Sequence, residues 1–153
     1  EQSSDNDDIH FLIVGGGAAE SRLKAMVEKL DLQNVTFADL QPEQKLPVLL
    51  ASADVHLVTQ KADMADLVLP SKLTNIFASG GNAVITAARD TTLGRLCSQY
   101  EGIALCVPPE DAASLKDGIN EMLEWPRKNE VAREYAAQHL DKKIVLDNFF
   151  CQF

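Results

Sequence analysis

The chain has 153 residues, 46% of them hydrophobic and 24% charged, the balance of one folded domain with an ordinary core. Its formal net charge of -9 repels phosphate backbones and anionic lipid at long range, which excludes nucleic acid as a partner and disfavours docking of this segment on a membrane. A nucleotide phosphate would have to be held locally, by backbone N–H groups and one or two cations.

The acidic start, Glu1 to Asp8, has neither a basic nor an apolar stretch of a secretory leader and reads as a disordered lead. Residues 9–153 read as a single domain. Ile9 to Val14 is an apolar run broken by His10 and ending in Gly15-Gly16-Gly17, the pattern of a strand buried on both faces. Ala18 to Leu30 carries Leu23, Met26, Val27 and Leu30 at helical spacing. Asn34 to Ala38 is a second strand. Pro42 to Ala53 is a helix whose regular part starts near Pro47, where a missing N–H costs little. Val55 to Val58 is a third strand, Thr59 to Leu69 a loop, and Pro70 to Ser79 a helix with Leu73, Ile76 and Phe77 on its apolar face, ended by Gly80-Gly81. Asn82 to Ala87 is a fourth strand, Thr91 to Tyr100 a helix, and Ile103 to Val107 a fifth strand stopped by Pro108-Pro109. Asp111 caps a helix over Ala112 to Leu123, and two helical stretches follow, Arg127 to His139 and Lys142 to Phe150.

Strands and helices alternate five times, which predicts an α/β fold with a Rossmann-like parallel sheet covered by helices on both faces. Ligands of such sheets bind beyond the carboxyl ends of the strands. Three groups of residues there carry chemistry. Gly15, Gly16 and Gly17 let backbone approach a phosphate at a helix N-terminus, although Glu20 stands where a full GxGxxG has its third glycine. Asp39 follows the second strand, where a nicotinamide-binding unit places an acid on the ribose; this supports an alternative reading as an NAD-dependent oxidoreductase domain. Pro70-Ser71-Lys72-Leu73 opens a helix, and together a hydroxyl, a cation and free N–H groups suit a diphosphate, with Asn75 on nearly the same face for sugar or ribose hydroxyls. Asp63 and Asp66, in the loop before, are possible hydroxyl acceptors. His10 and His56 lie in strands and read as packed. The cysteines Cys97, Cys106 and Cys151 lack CxxC spacing and read as free thiols of a reducing compartment, and nothing has metal-ligand spacing. No apolar run approaches the ~20 residues that span a bilayer. Together these predict a cytoplasmic protein.

The ordered segments FLIVGGG, NVTFADLQP, KLPVLLASADVHLV, LPSKLTNIFASGGNAVIT and GIALCVPPEDAASLKDGI resemble the C-terminal, donor-binding domain of family 4 glycosyltransferases of the GT-B fold, notably those of colanic-acid-type exopolysaccharide assembly. The resemblance spans about Ile9 to Met122. It implies a retaining enzyme that transfers fucose or a similar hexose from a GDP- or UDP-sugar to a lipid-linked oligosaccharide. No tightly bound cofactor is implied. The glycines would lie near the donor diphosphate, Phe37, Ala38, Asp39 and Leu40 near the nucleobase, and Pro70, Ser71, Lys72 and Leu73 at the phosphates, with Lys72 the catalytic cation. Asn75 stands where the family has a ribose-binding Glu, and Leu67 where it has a sugar-binding Glu. The family pattern also has an earlier strand and helix and an N-terminal acceptor domain, so the chain reads as a fragment inactive alone. As an expectation, its open sheet edge drives homodimerisation, and a lipid acceptor at the inner membrane face is reached through the other domain. A third alternative is a non-catalytic binding module.

Overall fold

The structure, a computed structural model, describes residues 9–60 and 70–140. The chain divides into two compact units, Glu1–Leu46 and Pro47–Phe153.

The first unit contains strand β1 (Phe11–Val14), helix α1 (Glu20–Lys29) and strand β2 (Val35–Ala38). The strands pair in parallel, from Phe11 opposite Val35 to Val14 opposite Ala38. The apolar run predicts a doubly buried β1; instead Leu12 is 50% and Ile13 37% exposed. The reason is local. Among the described residues β1 is paired only with β2, and α1 buries none of its residues. His10, expected to be packed, is exposed and shares a 2.8 Å hydrogen bond with Thr36 Oγ1.

A 3-10 turn, Glu43–Lys45, leads into helix α2 (Leu46–Ser52). Pro47 is its second residue, a place where the helix loses no hydrogen bond to the missing N–H.

The second unit holds β3 (His56–Thr59), α3 (Ser71–Ser79), β4 (Ala83–Thr86), α4 (Thr92–Gln99), β5 (Leu105–Val107), α5 (Ala112–Leu123) and α6 (Glu130–His139). Its sheet is parallel, in the order β3-β4-β5. All four residues of central β4 are buried, so both of its faces need cover. Ala83 and Ile85 join a cluster with Leu73, Ile76 and Phe77 of α3, Leu93 of α4, and Ala132 and Ala136 of α6. Val84 looks the other way, toward α5. There Gly118 allows close approach: a Cβ on it would lie 2.9 Å from Val107 Cγ1 and 3.3 Å from Val84 Cγ1. The helices therefore cover both faces, as the alternation of elements predicts.

Caps fix where these helices start and stop. Gly80 ends α3 with φ of 69°, in the left-handed region a side chain would resist. Thr91 Oγ1 accepts from Gly94 N–H at 3.2 Å to start α4. Asn129 starts α6 by accepting from Ala132 N–H at 2.9 Å, while its buried amide donates to the carbonyls of Gly102 and Ile103 at 3.0 and 3.2 Å. These bonds tie α6 to the segment that enters β5, and they place the helix start three residues later than the predicted Arg127.

Asp111 starts α5, accepting from the N–H groups of Ala113 and Ser114 at 3.0 Å each and from the Ser114 hydroxyl at 2.8 Å. These bonds favour the carboxylate, and Ser114 holds the Asp111 carboxyl below its usual range. A depressed folded-state value stabilises the fold above the unfolded value and loses that contribution as pH falls through the folded one. Asp111→Asn keeps a capping oxygen without the charge. The stability difference between the natural chain and this variant is therefore expected to shrink below about pH 4. Urea midpoints at neutral and acid pH check this, and a gap independent of pH would contradict it.

Candidate functional site

In the first unit the glycine turn and the end of β2 are brought side by side. Gly15 has φ of 105°, open to glycine at little cost, and its N–H donates to Ala38 O at 2.9 Å. A Cβ on Gly15 would sit 3.8 Å from Leu40 Cδ1, so Leu40 flanks the turn. Beyond it the chain enters α1 with Gly17 O accepting from Glu20 N–H at 3.0 Å. Gly16 and Gly17 are exposed, and a Cβ on Gly17 would meet nothing within 4 Å. Open backbone at a helix start suits an anion.

Glu20 is the residue that spoils the glycine pattern, and the structure neutralises it locally. Its Oε1 pairs with Lys24 Nζ at 2.7 Å. This hydrogen bond and charge pair lower the Glu20 carboxyl and raise Lys24, to which Asp39 adds a smaller pull. Lys24 Nζ also stands 5.6 Å from the centre of the Phe37 ring. Phe37 and Asp39 thus face one charged cluster with α1, a coupling that no spacing in the sequence reveals. Asp39 itself is exposed, and its carbonyl accepts from the Gln41 side chain at 2.9 Å.

In the second unit the group at the start of α3 lies beyond the carboxyl ends of the strands, because a helix connecting parallel strands runs back against them. Pro70 precedes the helix with φ of -58°, and its carbonyl accepts from Leu73 N–H at 2.8 Å and Thr74 N–H at 3.3 Å. The N–H groups of Ser71 and Lys72, the first two of the helix, make no intrahelical bond. Ser71, Lys72 and Asn75 are all exposed. Among the described residues Lys72 makes no ion pair. Leu73 lies where its place on the apolar face of α3 predicts. It is fully buried among the core side chains, and its N–H is spent on Pro70, so its part is to anchor the helix start. Asp63, Asp66 and Leu67 lie outside the described residues.

Two polar residues meet at this rim, Gln60, one of the strand-end residues that the alternation of elements points to, and Thr86, which is absent from the sequence-based candidates. Thr86, buried at the end of β4, accepts from Gln60 N–H at 2.8 Å and donates to Gln60 O at 3.0 Å. It thereby fixes the first residue past β3. Gln60 Oε1 is itself buried and has no hydrogen-bond partner among the described residues. A hydroxyl closing an otherwise apolar strand, NAVIT, was the available signal. At the opposite end of the sheet, Asn82 donates to Pro126 O at 3.0 Å, a structural bond. His56 is half-buried, as expected of a packed residue; burial lowers its pKa, and a hydrogen bond to the Leu50 main chain opposes that. Among the described residues no group of three His, Cys, Asp or Glu side chains could hold a metal ion. No described helix is long and apolar enough to cross a membrane.

A family model for glycosyl transferases group 1 matches residues 1–139. The chain belongs to that family. Within the glycosyl transferases group 1 family, it is 52% identical over 139 residues to WcaI of Escherichia coli (strain K12), provisionally named a colanic acid biosynthesis glycosyl transferase. That match covers 91% of this chain and 34% of the relative. Among solved structures, sucrose-phosphate synthase from Thermosynechococcus elongatus superposes with a TM-score of 0.66 at 23% identity, over 93% of this chain and 39% of the other. That likeness speaks for the fold alone and agrees with the Rossmann-like α/β, GT-B reading. The group 1 chain therefore spans between a third and two fifths of the length of the proteins it matches.

Proposed function

We propose that this group 1 chain holds the nucleotide-sugar donor of a retaining glycosyltransferase. The donor is a GDP- or UDP-linked hexose such as fucose, and the acceptor a lipid-linked oligosaccharide of colanic-acid-type exopolysaccharide. The name of the WcaI relative supports the pathway. The observation that carries the site is the start of α3, where exposed Lys72 and two N–H groups without an intrahelical partner meet a helix dipole. When the sugar–phosphate bond breaks, negative charge grows on the departing diphosphate. A fixed cation and fixed N–H donors stabilise that charge with little reorganisation. Lys72 acts as this cation, and Ser71 adds a hydroxyl. Asn75 can accept from a hydroxyl of the donor through its amide oxygen. The acceptor reaches the donor through the remainder of the enzyme, on the cytoplasmic side of the membrane.

The test is a thermal-shift titration with GDP, UDP and NAD. Saturation at about 100 times Kd stabilises a protein by about 2.7 kcal/mol. Stabilisation by GDP or UDP is expected, and which of them acts names the base. Lys72→Ala removes one charge-assisted contact worth about 2 kcal/mol, so Kd is expected to rise roughly 30-fold. Stabilisation by NAD alone would shift the assignment to an oxidoreductase. No shift with any of the three, in a chain with native circular dichroism, would overturn the donor-binding reading.

A further inference from the structure

The proposed transferase chemistry uses no thiol, yet two cysteines on consecutive elements meet at one place. Cys97 lies in the second half of α4 and Cys106 in the middle of β5. Both pack against the same apolar cluster, and both keep partial exposure. Helix α4 packs directly against β5, and a side-chain hydrogen bond couples the two thiols. Cys106 Sγ lies 3.4 Å from the Ala87 carbonyl oxygen, at the end of β4.

We propose that Cys106 and Cys97 form a thiol modification site that reacts with low-molecular-weight disulfides of the glutathione type and closes a disulfide between α4 and β5. Cys106 is the attacking sulfur. The Cys97 hydrogen bond lowers its pKa to about 7, the Arg89 charge adds to this, and burial opposes it. Cys97 is pushed up by the same contact and by burial, so it stays a thiol until the second step. In the first step the Cys106 thiolate attacks one sulfur of the small disulfide. A Cys106–sulfur bond forms, the small disulfide bond breaks, and one thiolate leaves and takes a proton from water. In the second step Cys97 loses its proton to water and attacks Cys106 Sγ. The Cys97–Cys106 bond forms, and the second small thiolate leaves and is protonated. The two protein thiols are oxidised by two electrons, and the small disulfide is reduced to two thiols. The closed bond would fasten α4 to β5 beside Ala88 to Asp90, the segment that follows β4 at the ligand-facing end of the sheet.

The test exposes the folded chain to oxidised glutathione, blocks remaining thiols with N-ethylmaleimide and maps peptides after cleavage at glutamate. Glu101 lies between the two cysteines, so the link appears as two joined peptides. The expected result is a Cys97–Cys106 link that dithiothreitol removes. Cys97→Ser is expected to retain glutathione on Cys106, because no second thiol displaces it. Cys106→Ser is expected to leave Cys97 unmodified at the same exposure. The proposal is overturned if both cysteines of the natural chain carry the maleimide after exposure, with circular dichroism unchanged. It is equally overturned if the recovered link joins Cys151 to either of them in place of the pair.

Discussion

Phe77→Ala is expected to destabilise the second unit by about 3–5 kcal/mol, a large part of the ~5–15 kcal/mol that holds a typical domain. Phe77 is fully buried, and it stands edge-to-face to Tyr135 with ring centres 6.1 Å apart. Alanine would leave a void between α3 and α6 and remove that ring contact. The edge-to-face pair alone contributes about 1 kcal/mol, so most of the loss comes from the cavity and the lost apolar burial. Phe77→Leu fills most of the volume and is expected to cost about 1.5 kcal/mol. Urea unfolding of both variants checks the ordering. Equal losses for alanine and leucine would show that the site collapses freely and that the packing described here does not hold it. The same variant bears on binding, because α3 carries Lys72 at its start and Phe77 five residues further along the same helix.

Gly94→Ala is the second large effect, and its sign is set by two opposed terms. Alanine in a helix interior is favoured over glycine by about 1 kcal/mol. Against this, a Cβ at position 94 would fall 2.7 Å from Arg89 Cα and still closer to the Ala88 carbonyl oxygen, both main-chain atoms that cannot rotate away. Thr91 Oγ1 also donates to that Ala88 oxygen at 2.7 Å, which pins the segment in place. Either α4 lifts off the sheet or the Ala88–Arg89 peptide shifts. Overpacking of this kind costs about 3 kcal/mol. The net expectation is a loss of about 2 kcal/mol, read as a lower urea midpoint. A variant at least as stable as the natural chain would mean that α4 does not abut this peptide.

The second unit was legible in the sequence because several signals agree there. NAVIT has an unbroken apolar centre, Ala83 to Ile85, Gly80-Gly81 stops the preceding helix, and Asp111 and the run after it announce α5. Each of these is a local preference that tertiary packing then reinforces. The first unit was legible only in type. FLIV reads as a buried strand from composition alone, but burial depends on which elements cover it, and α1 does not. Leu73 was legible as a core residue from its helical spacing with Ile76 and Phe77. Its neighbours Ser71 and Lys72 are exposed, and only the helical turn sends the next side chain into the core. The meeting of Cys97 with Cys106 depends on α4 folding back over β5, and the Glu20–Lys24–Phe37 cluster on α1 lying across the end of β2. Glu20 and Lys24 are an i,i+4 pair, but neither the approach of Phe37 to them nor that of Cys97 to Cys106 follows from residue spacing. The helix expected over Lys142 to Phe150 lies outside the described residues.

No described residue from Ile9 to Leu46 is buried, whereas all of β4 is. The free energy of local opening scales with the apolar surface a segment removes from water. The β1–β2 ladder therefore opens at a small fraction of the cost of the sheet in the second unit, and its amides exchange with solvent as one shallow cooperative group. The glycine turn and the Phe37 to Leu40 segment belong to that group. A nucleotide that settles there must quiet this motion as it binds, so part of its interaction energy goes into ordering and the measured affinity understates the contacts made.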